Sequence, residues 1–98
     1  MLTMIQTFKC SDTENIFNGL RIARFVNIEN IENVVMRKLA MLNRAEIITD
    51  LRLPPANRLE TLKGNRKGQY SIRINDQWRV CFRFEDGQAF DVEIVDYH

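Results

Sequence analysis

The residues best suited to chemistry in this sequence are a single histidine and a group of cations. His98 is the only histidine, and its reference pKa of about 6.5 suits proton transfer near neutral pH. From Arg52 to Arg83 there are eight lysines and arginines against two acidic residues, a local charge of +6 in a chain whose net charge is +1. Clustered positive charge in a nearly neutral chain indicates a surface that binds a polyanion. The plainer interpretation is a set of ordinary solvated arginines.

A histidine beside several cations has the groups needed to cleave RNA through its own 2′-hydroxyl. That reaction requires a base for the hydroxyl proton, cations for the charge on phosphorus, and an acid for the leaving oxygen. We predict that His98 transfers a proton and that Lys63 and Arg79 stabilise the developing charge. Tyr97 would stack on a base or orient the scissile phosphate. Asp96 would only support the imidazole, because its strand parity points it to the other side of the sheet.

Each of these residues also has a plainer interpretation. A histidine at the end of a chain is usually a surface residue without a function, and Tyr97 could pack at the edge of a sheet. Asp91, Glu93, Asp96 and His98 are weak support for a metal site, because one imidazole with scattered acids is not a metal-binding pattern. We therefore expect no metal ion and no other cofactor.

The elements that would position these residues are strands in the second half of the chain. Apolar and polar residues alternate with a period of two from Tyr70 to Asn75, from Trp78 to Phe84 and from Ala89 to Val95, which predicts three strands. The sequence "EDG" predicts a tight turn between the last two. Together they form an antiparallel three-stranded meander, with Trp78 in the core.

The strand alternation also predicts a basic face on this sheet. If Ile72 and Val80 point into the core, Arg73, Arg79 and Arg83 must emerge on the opposite face. Guanidinium groups match phosphate oxygens in a bidentate way, and the preceding loop "LKGNRKG" adds three more cations. We expect this polar face to hold Lys63, Arg73, Arg79, Tyr97 and His98, and we expect RNA contacts from Arg73, Arg66, Lys67 and Arg83.

The first half of the chain predicts one strand and two to three helices. A strand is expected over Ile5 to Lys9, and the capping-box pattern of Ser11 and Glu14 opens a helix that ends near Asn18. A stronger helix begins near Ile28, because its apolar residues recur at the spacing of one helical face. It either breaks near Asn43 or continues until Pro54 and Pro55 stop it. These elements predict an α+β fold in which the helices pack on one face of the sheet.

Length and composition are those of one globular domain spanning residues 1–98. The chain has 98 residues, of which 45% are hydrophobic and 28% charged, as in ordinary soluble domains. It contains neither a signal-peptide pattern nor the ~20 apolar residues that cross a bilayer. We expect a cytoplasmic protein with no membrane association, in which Cys10 and Cys81 are reduced thiols.

The segment "PPANRLETLKGNRKGQYSIRINDQWRVCFRF" and the ending "VDYH" resemble the HigB branch of the RelE/ParE toxin superfamily, and its GraT-like members in particular. These are toxins of type II toxin–antitoxin systems. The resemblance covers almost the whole chain and implies a compact RelE-like fold that cleaves messenger RNA in the decoding site of the ribosome without a metal. It also implies a HigA-type antitoxin with a helix-turn-helix domain. The toxin would contact operator DNA only through this antitoxin.

The same resemblance implies which residues carry the activity. The lysine of the "LKG" motif is Lys63, the arginine of "QWR" is Arg79, and the Asp-Tyr-His ending is Asp96, Tyr97 and His98. Glu60 stands where some HigB members have a histidine, so it stays open whether this chain has a second proton-transfer group.

Two other functions are compatible with the sequence. A ParE-like toxin would act on DNA gyrase without cleaving nucleic acid, although it would not need the Asp-Tyr-His ending. A non-catalytic RNA-binding protein would use the arginines to hold phosphates and would not depend on His98.

Overall fold

The computed structural model describes residues 5–18 and 31–96. Within these residues there are two α-helices, α1 (Ser11–Phe17) and α2 (Ile31–Arg44), and four strands, β1 (Glu60–Thr61), β2 (Tyr70–Arg73), β3 (Trp78–Glu85) and β4 (Gln88–Asp96). Short 3-10 helices lie at Ile48–Arg52, Pro55–Asn57 and Gly64–Arg66. The strands form one antiparallel sheet in the order β1-β2-β3-β4. The predicted α+β class is confirmed.

Helix α1 begins at Ser11, one residue earlier than the capping box requires, since that pattern makes Ser11 the N-cap and Asp12 the first helical residue. The N-cap residue is Cys10 and makes no side-chain cap, so the prediction that Ser11 caps this helix is wrong. The helix opens instead with a backbone bond, since the Glu14 amide donates to the Cys10 carbonyl at 3.2 Å. The predicted end is confirmed, because Asn18 is the C-cap.

Helix α2 supplies the main apolar surface that covers the sheet. Val35, Leu39 and Leu42 are fully buried and lie one above another along one face of the helix. They join a core that includes Ile72, Ile74, Trp78, Val80, Phe82, Ala89, Val92 and Ile94. The predicted helical stripe and the core position of Trp78 are confirmed, whereas the predicted start near Ile28 lies outside the described residues.

The N-terminal segment is extended but does not form the continuous strand predicted over Ile5 to Lys9. It runs parallel to β4 and meets it in two isolated bridges, Ile5 with Ala89 and Phe8 with Val92. Three backbone hydrogen bonds of 2.7–3.1 Å join the two segments. The segment therefore docks on the free edge of β4 without extending the sheet as a regular strand.

An irregularity in β4 explains why its alternation departs from the prediction. Cys81 pairs with Glu93 but Arg83 pairs with Phe90, so β4 contains one extra residue, and Asp91 has a φ of 55°. This is a β-bulge, which reverses the facing of the residues that precede it. Phe90 consequently leaves the core face on which a regular alternation with Val92 and Ile94 would place it, and its ring centroid lies 5.2 Å from the Arg83 guanidinium carbon.

Strand β1 makes the meander four-stranded where the sequence predicted three strands. Glu60 pairs with Ser71 and Thr61 with Tyr70. Two residues are too few to show a period of two, so the strand was not predicted. The "EDG" turn is confirmed, with Asp86 and Gly87 at φ values of 52° and 76°, which suit a two-residue hairpin loop.

Candidate functional site

Arg79 is the most firmly held of the predicted site residues. It lies on the sheet face opposite the core and is 7% exposed. Its Nε donates to Ser71 Oγ at 2.8 Å, and its Nη2 donates to the carbonyl of Arg58 at 2.6 Å. A buried guanidinium with several acceptors is fixed in one orientation. The positive charge of Arg79 is therefore preorganised before any ligand binds.

Two neighbours of Arg79 were not predicted to take part in the site. Ser71 is fully buried and alternates with core-facing Ile72, so its position on the polar face could have been read from the strand pattern. The contact of the Arg58 carbonyl with Arg79 could not be predicted from the sequence. It depends on the left-handed φ of 45° that Arg58 adopts directly after the 3-10 helix Pro55–Asn57. Glu60 is the third neighbour: its Oε1 lies 3.9 Å from Arg79 Nη2, and its side chain is 53% exposed.

The loop between β1 and β2 carries three predicted cations in two different settings. Lys63 and Lys67 flank the 3-10 helix Gly64–Arg66, and both are exposed. Arg66 instead turns toward the sheet, where its Nη1 donates to Glu93 Oε1 at 2.8 Å and to Gln69 Oε1 at 3.1 Å. The ion pair with Glu93 ties the loop to β4, while the two lysines point to solvent.

The remaining predicted RNA-binding arginines also have acidic partners. Arg73 forms an ion pair with Asp76. Arg83 Nε donates to Asp91 Oδ2 at 2.9 Å, and its Nη1 lies 3.5 Å from Glu85. The local charge of +6 is therefore partly neutralised by carboxylates brought in by the fold. A phosphate would have to share or displace these carboxylates to reach Arg66, Arg73 or Arg83.

The end of β4 carries the last described member of the predicted site. Asp96 pairs in register with Trp78 and accepts a hydrogen bond from Gln77 Nε2 at 3.1 Å. It has the parity of core-facing Ile94, as the sequence indicated, so its carboxylate is on the other side of the sheet from Arg79. Tyr97 and His98 lie outside the described residues.

Cys81 lies beneath the polar face, between Ser71 and Glu93 in the strand register. Its thiol is free and fully buried. Burial raises the pKa of Cys81, with the nearby charge of Arg66 acting in the opposite direction. Cys10 is also free, which confirms that the two cysteines are unpaired thiols.

Within residues 5–18 and 31–96, no group of three or more His, Cys, Asp and Glu side chains is arranged to hold a metal ion. Nor does this part of the chain contain a helix with the length and apolarity needed to span a membrane.

A family model described as "RelE-like toxin of type II toxin-antitoxin system HigB" matches residues 8–98. The chain belongs to the HigB-like toxin family. Among curated HigB relatives, Toxin HigB-1 of Vibrio cholerae is 50% identical over 62 residues, which are 63% of this chain and 65% of that toxin. The Endoribonuclease HigB of Proteus vulgaris is 42% identical over 41 residues, 42% of this chain and 45% of the relative. The aligned segments thus span about half to two thirds of the curated relatives.

Solved structures similar to this HigB-like chain include a YoeB–YefM complex from Staphylococcus aureus. The match has a TM-score of 0.61 and 22% sequence identity, and covers 100% of this chain and 99% of that chain. A YoeB dimer from the same organism matches with a TM-score of 0.57 and 22% identity, over 96% of this chain and 94% of that chain. These matches support the RelE-like fold.

Proposed function

We propose that this HigB-like toxin is an endoribonuclease that cleaves messenger RNA on the ribosome. The cleavage would proceed by attack of a 2′-hydroxyl on the adjacent phosphate, without a metal ion. The observation that carries the proposal is the buried, fully oriented guanidinium of Arg79 on the polar face of the sheet. The name of the Proteus vulgaris relative, Endoribonuclease HigB, supports the same class of reaction.

Arg79 and Lys63 would stabilise the charge that develops on the phosphate oxygens. Preorganised donors contribute most to catalysis when they need no reorientation in the transition state, and the bonds from Arg79 to Ser71 and Arg58 supply that rigidity. Lys63 is exposed at the start of a loop held to the sheet by Arg66 and Glu93. From this loop the ammonium would approach the bound phosphate.

His98 would transfer a proton, with Tyr97 holding a base or the scissile phosphate. Asp96, the last described residue before them, pairs with Trp78, the residue that precedes Arg79. Asp96 would help to fix the end of β4 through its bond to Gln77.

Glu60 would be the second proton-transfer group. Attack by a 2′-hydroxyl needs a proton acceptor as well as a donor to the leaving oxygen, and two groups divide this work. The Glu60 carboxylate is half-exposed and lies 3.9 Å from the guanidinium of Arg79, so a phosphate bound by Arg79 would lie close to it. Glu60→Gln should then slow cleavage while leaving binding to ribosomes intact.

The ribosome would supply the alignment of the reacting atoms. Aligning a nucleophile with its target is worth up to about 7–11 kcal/mol in favourable cases, and binding in the decoding site would contribute this alignment for messenger RNA. Lys67 would contact the RNA backbone directly. Arg66, Arg73 and Arg83 would exchange their carboxylate partners for phosphates on binding.

The partner of this toxin would be a HigA-type antitoxin with a helix-turn-helix domain, which would connect the toxin to operator DNA. The basic surface offers such a partner an electrostatic contact. Since ribosomes translate in the cytoplasm, the toxin would act there.

The proposal is tested with purified toxin and a defined messenger RNA, either free or bound to programmed ribosomes. We expect cleavage at the decoding site of ribosome-bound RNA only, with a 2′,3′-cyclic phosphate and a 5′-hydroxyl at the new ends, as 2′-hydroxyl attack requires. A 5′-phosphate product would contradict the mechanism. Intact RNA together with inhibited gyrase supercoiling would favour the ParE-like alternative.

A further inference from the structure

Lys38 is a charged residue in the interior of the protein. It lies on α2 and is 5% exposed. Its Nζ donates a hydrogen bond to Oδ1 of Asn57. A buried ammonium loses its hydration and must be compensated by hydrogen bonds, so a lysine that only filled space here would be less favourable than methionine.

Asn57 connects Lys38 to the segment that carries the two prolines. Its side chain is fully buried, and its Nδ2 donates to the carbonyls of Leu51 at 3.1 Å and Leu53 at 3.4 Å. The amide oxygen and the amide nitrogen thus both have partners. Asn57 fixes the chain at the end of the 3-10 helix Pro55–Asn57.

The residue fixed next in the chain is Arg58, whose carbonyl binds Arg79. The Arg58 amide donates to Pro55 at 3.1 Å, and its left-handed φ of 45° turns the chain toward β1. Its carbonyl accepts the Arg79 Nη2 proton at 2.6 Å. A series of links therefore runs from Lys38 on α2 to the guanidinium on the opposite face of the sheet: the hydrogen bond to Asn57, the peptide bond from Asn57 to Arg58, and the hydrogen bond that Arg79 donates to the Arg58 carbonyl.

The charge of Lys38 suits a positioning role better than a packing role. Burial and then the nearby charges of Arg37 and Arg73 lower the pKa of Lys38, so the protein keeps this ammonium at an energetic cost. An apolar side chain such as methionine would fill the same space but could not donate to the Asn57 oxygen. The Asn57 amide would then be held only by its bonds to the Leu51 and Leu53 carbonyls, and the turn at Arg58 would lose one of its supports.

We propose that Lys38 and Asn57 are positioning residues that hold the Arg58 carbonyl, and through it the Arg79 guanidinium, in the orientation used by the site. The structural part of this proposal stands on the hydrogen bonds alone. Its catalytic consequence rests on the proposed nuclease function. The two parts are tested by separate measurements.

The structural part is tested by hydrogen exchange of the Arg79 Nε proton, followed by NMR in the free toxin. Lys38→Met keeps the aliphatic stem but removes the donor, and we expect exchange of this proton to become about tenfold faster, the effect of weakening one net hydrogen bond. Lys38→Arg, which keeps a cationic donor, should restore slow exchange. Leu42→Ala is the matched control, because it opens a cavity in the core on the same helix without touching this series of bonds.

The structural part is overturned if Lys38→Met leaves the Arg79 exchange rate unchanged, or if Leu42→Ala accelerates it as much at equal stability. Should Lys38→Met fail to fold, Asn57→Asp keeps the acceptor for Lys38 but loses the donors to Leu51 and Leu53. It should accelerate the exchange in the same way, and unchanged exchange in this variant would also overturn the proposal.

The catalytic consequence is tested by single-turnover cleavage of ribosome-bound RNA. Lys38→Met should slow the wild-type reaction about tenfold but slow an Arg79→Lys protein less than twofold, because the lysine no longer uses the Arg58 carbonyl. Equal slowing in both backgrounds would show that Lys38 acts independently of Arg79 and would overturn the proposal. If the wild-type toxin cleaves no RNA, the nuclease function fails, while the exchange measurement still decides the positioning.

Discussion

Replacing Ser71 with alanine removes the hydroxyl that accepts the Arg79 Nε proton at 2.8 Å. Both residues are buried, so water cannot easily take the place of the hydroxyl. The guanidinium keeps its bond to the Arg58 carbonyl at 2.6 Å. The substitution therefore removes one of the groups that orient Arg79 while leaving its charge and the rest of the sheet in place.

The loss can be estimated from the type of bond. A hydrogen bond to a charged group contributes about 1.5–3 kcal/mol, and the Ser71 carbonyl, 3.4 Å from Arg79 Nη2, remains as a weaker acceptor. We expect Ser71→Ala to lower the free energy of unfolding by roughly 1.5–2 kcal/mol. For a domain of this size that corresponds to a Tm lower by roughly 6–15 °C.

The assay is a double-mutant cycle measured by urea unfolding, with Ser71→Ala, Arg79→Met and the double variant. If the hydroxyl acts through Arg79, removing it from the Arg79→Met protein should cost little, giving a coupling energy of about 1.5 kcal/mol. Thr49→Ala, which removes an exposed hydroxyl, is the control and should change stability by less than about 0.5 kcal/mol. Additive effects of Ser71→Ala and Arg79→Met would refute the view that the serine holds the guanidinium.

Three further predictions concern the loop, the hairpin and the buried thiol. Lys63→Ala should slow cleavage of ribosome-bound RNA about 10²-fold with an unchanged Tm, since the side chain is exposed; an unchanged rate would remove Lys63 from the site. Gly87→Ala should lower the free energy of unfolding by about 1–2 kcal/mol, because Gly87 has a φ of 76° and a Cβ there would lie 3.0 Å from the Glu46 carbonyl oxygen; calorimetry showing an unchanged Tm would contradict this. Burial raises the pKa of Cys81 above its ordinary 9.0, so the unfolded thiol ionises first and wild-type stability should fall as the pH rises past 9.0. In urea titrations over that pH range the free energy of unfolding of Cys81→Ala should fall less steeply than that of the wild type. Identical slopes would contradict the view that the Cys81 thiol causes the fall.

The long elements could be predicted from the sequence because they repeat a pattern over many residues. The alternation in β2 and β3 and the apolar stripe of α2 each extend over enough positions to fix a period. Strand β1 has two residues and shows no period. The bulge at Asp91 depends on how β4 pairs with β3, which no local pattern within β4 records.

The polar face could be predicted in outline, but its electrostatics could not. Strand parity placed Arg79 opposite the core. It could not show that Arg66 would meet Glu93, 27 residues away in the chain, because that contact depends on the path of a loop. The ion pair of Arg73 with Asp76 could have been predicted, because the two residues are only three positions apart in the sequence.

The buried Lys38 illustrates the same limit for the interior. Lysine is almost never fully buried unless it is paired, so a lysine within an amphipathic helix is expected to lie at its edge. Its partner Asn57 is 19 residues away and belongs to a short 3-10 helix. Only the packing of that helix against α2 brings the two together.

Cleavage of ribosome-bound messenger RNA by wild-type toxin and by His98→Ala, compared by single-turnover kinetics at the decoding site, tests the central claim most directly. Both proteins should have the same Tm and bind ribosomes equally well. We predict that the variant is slower by about 10²–10⁴-fold, the usual contribution of a general acid or base. Equal rates would contradict the account and would transfer the chemistry to Glu60, Lys63 and Arg79.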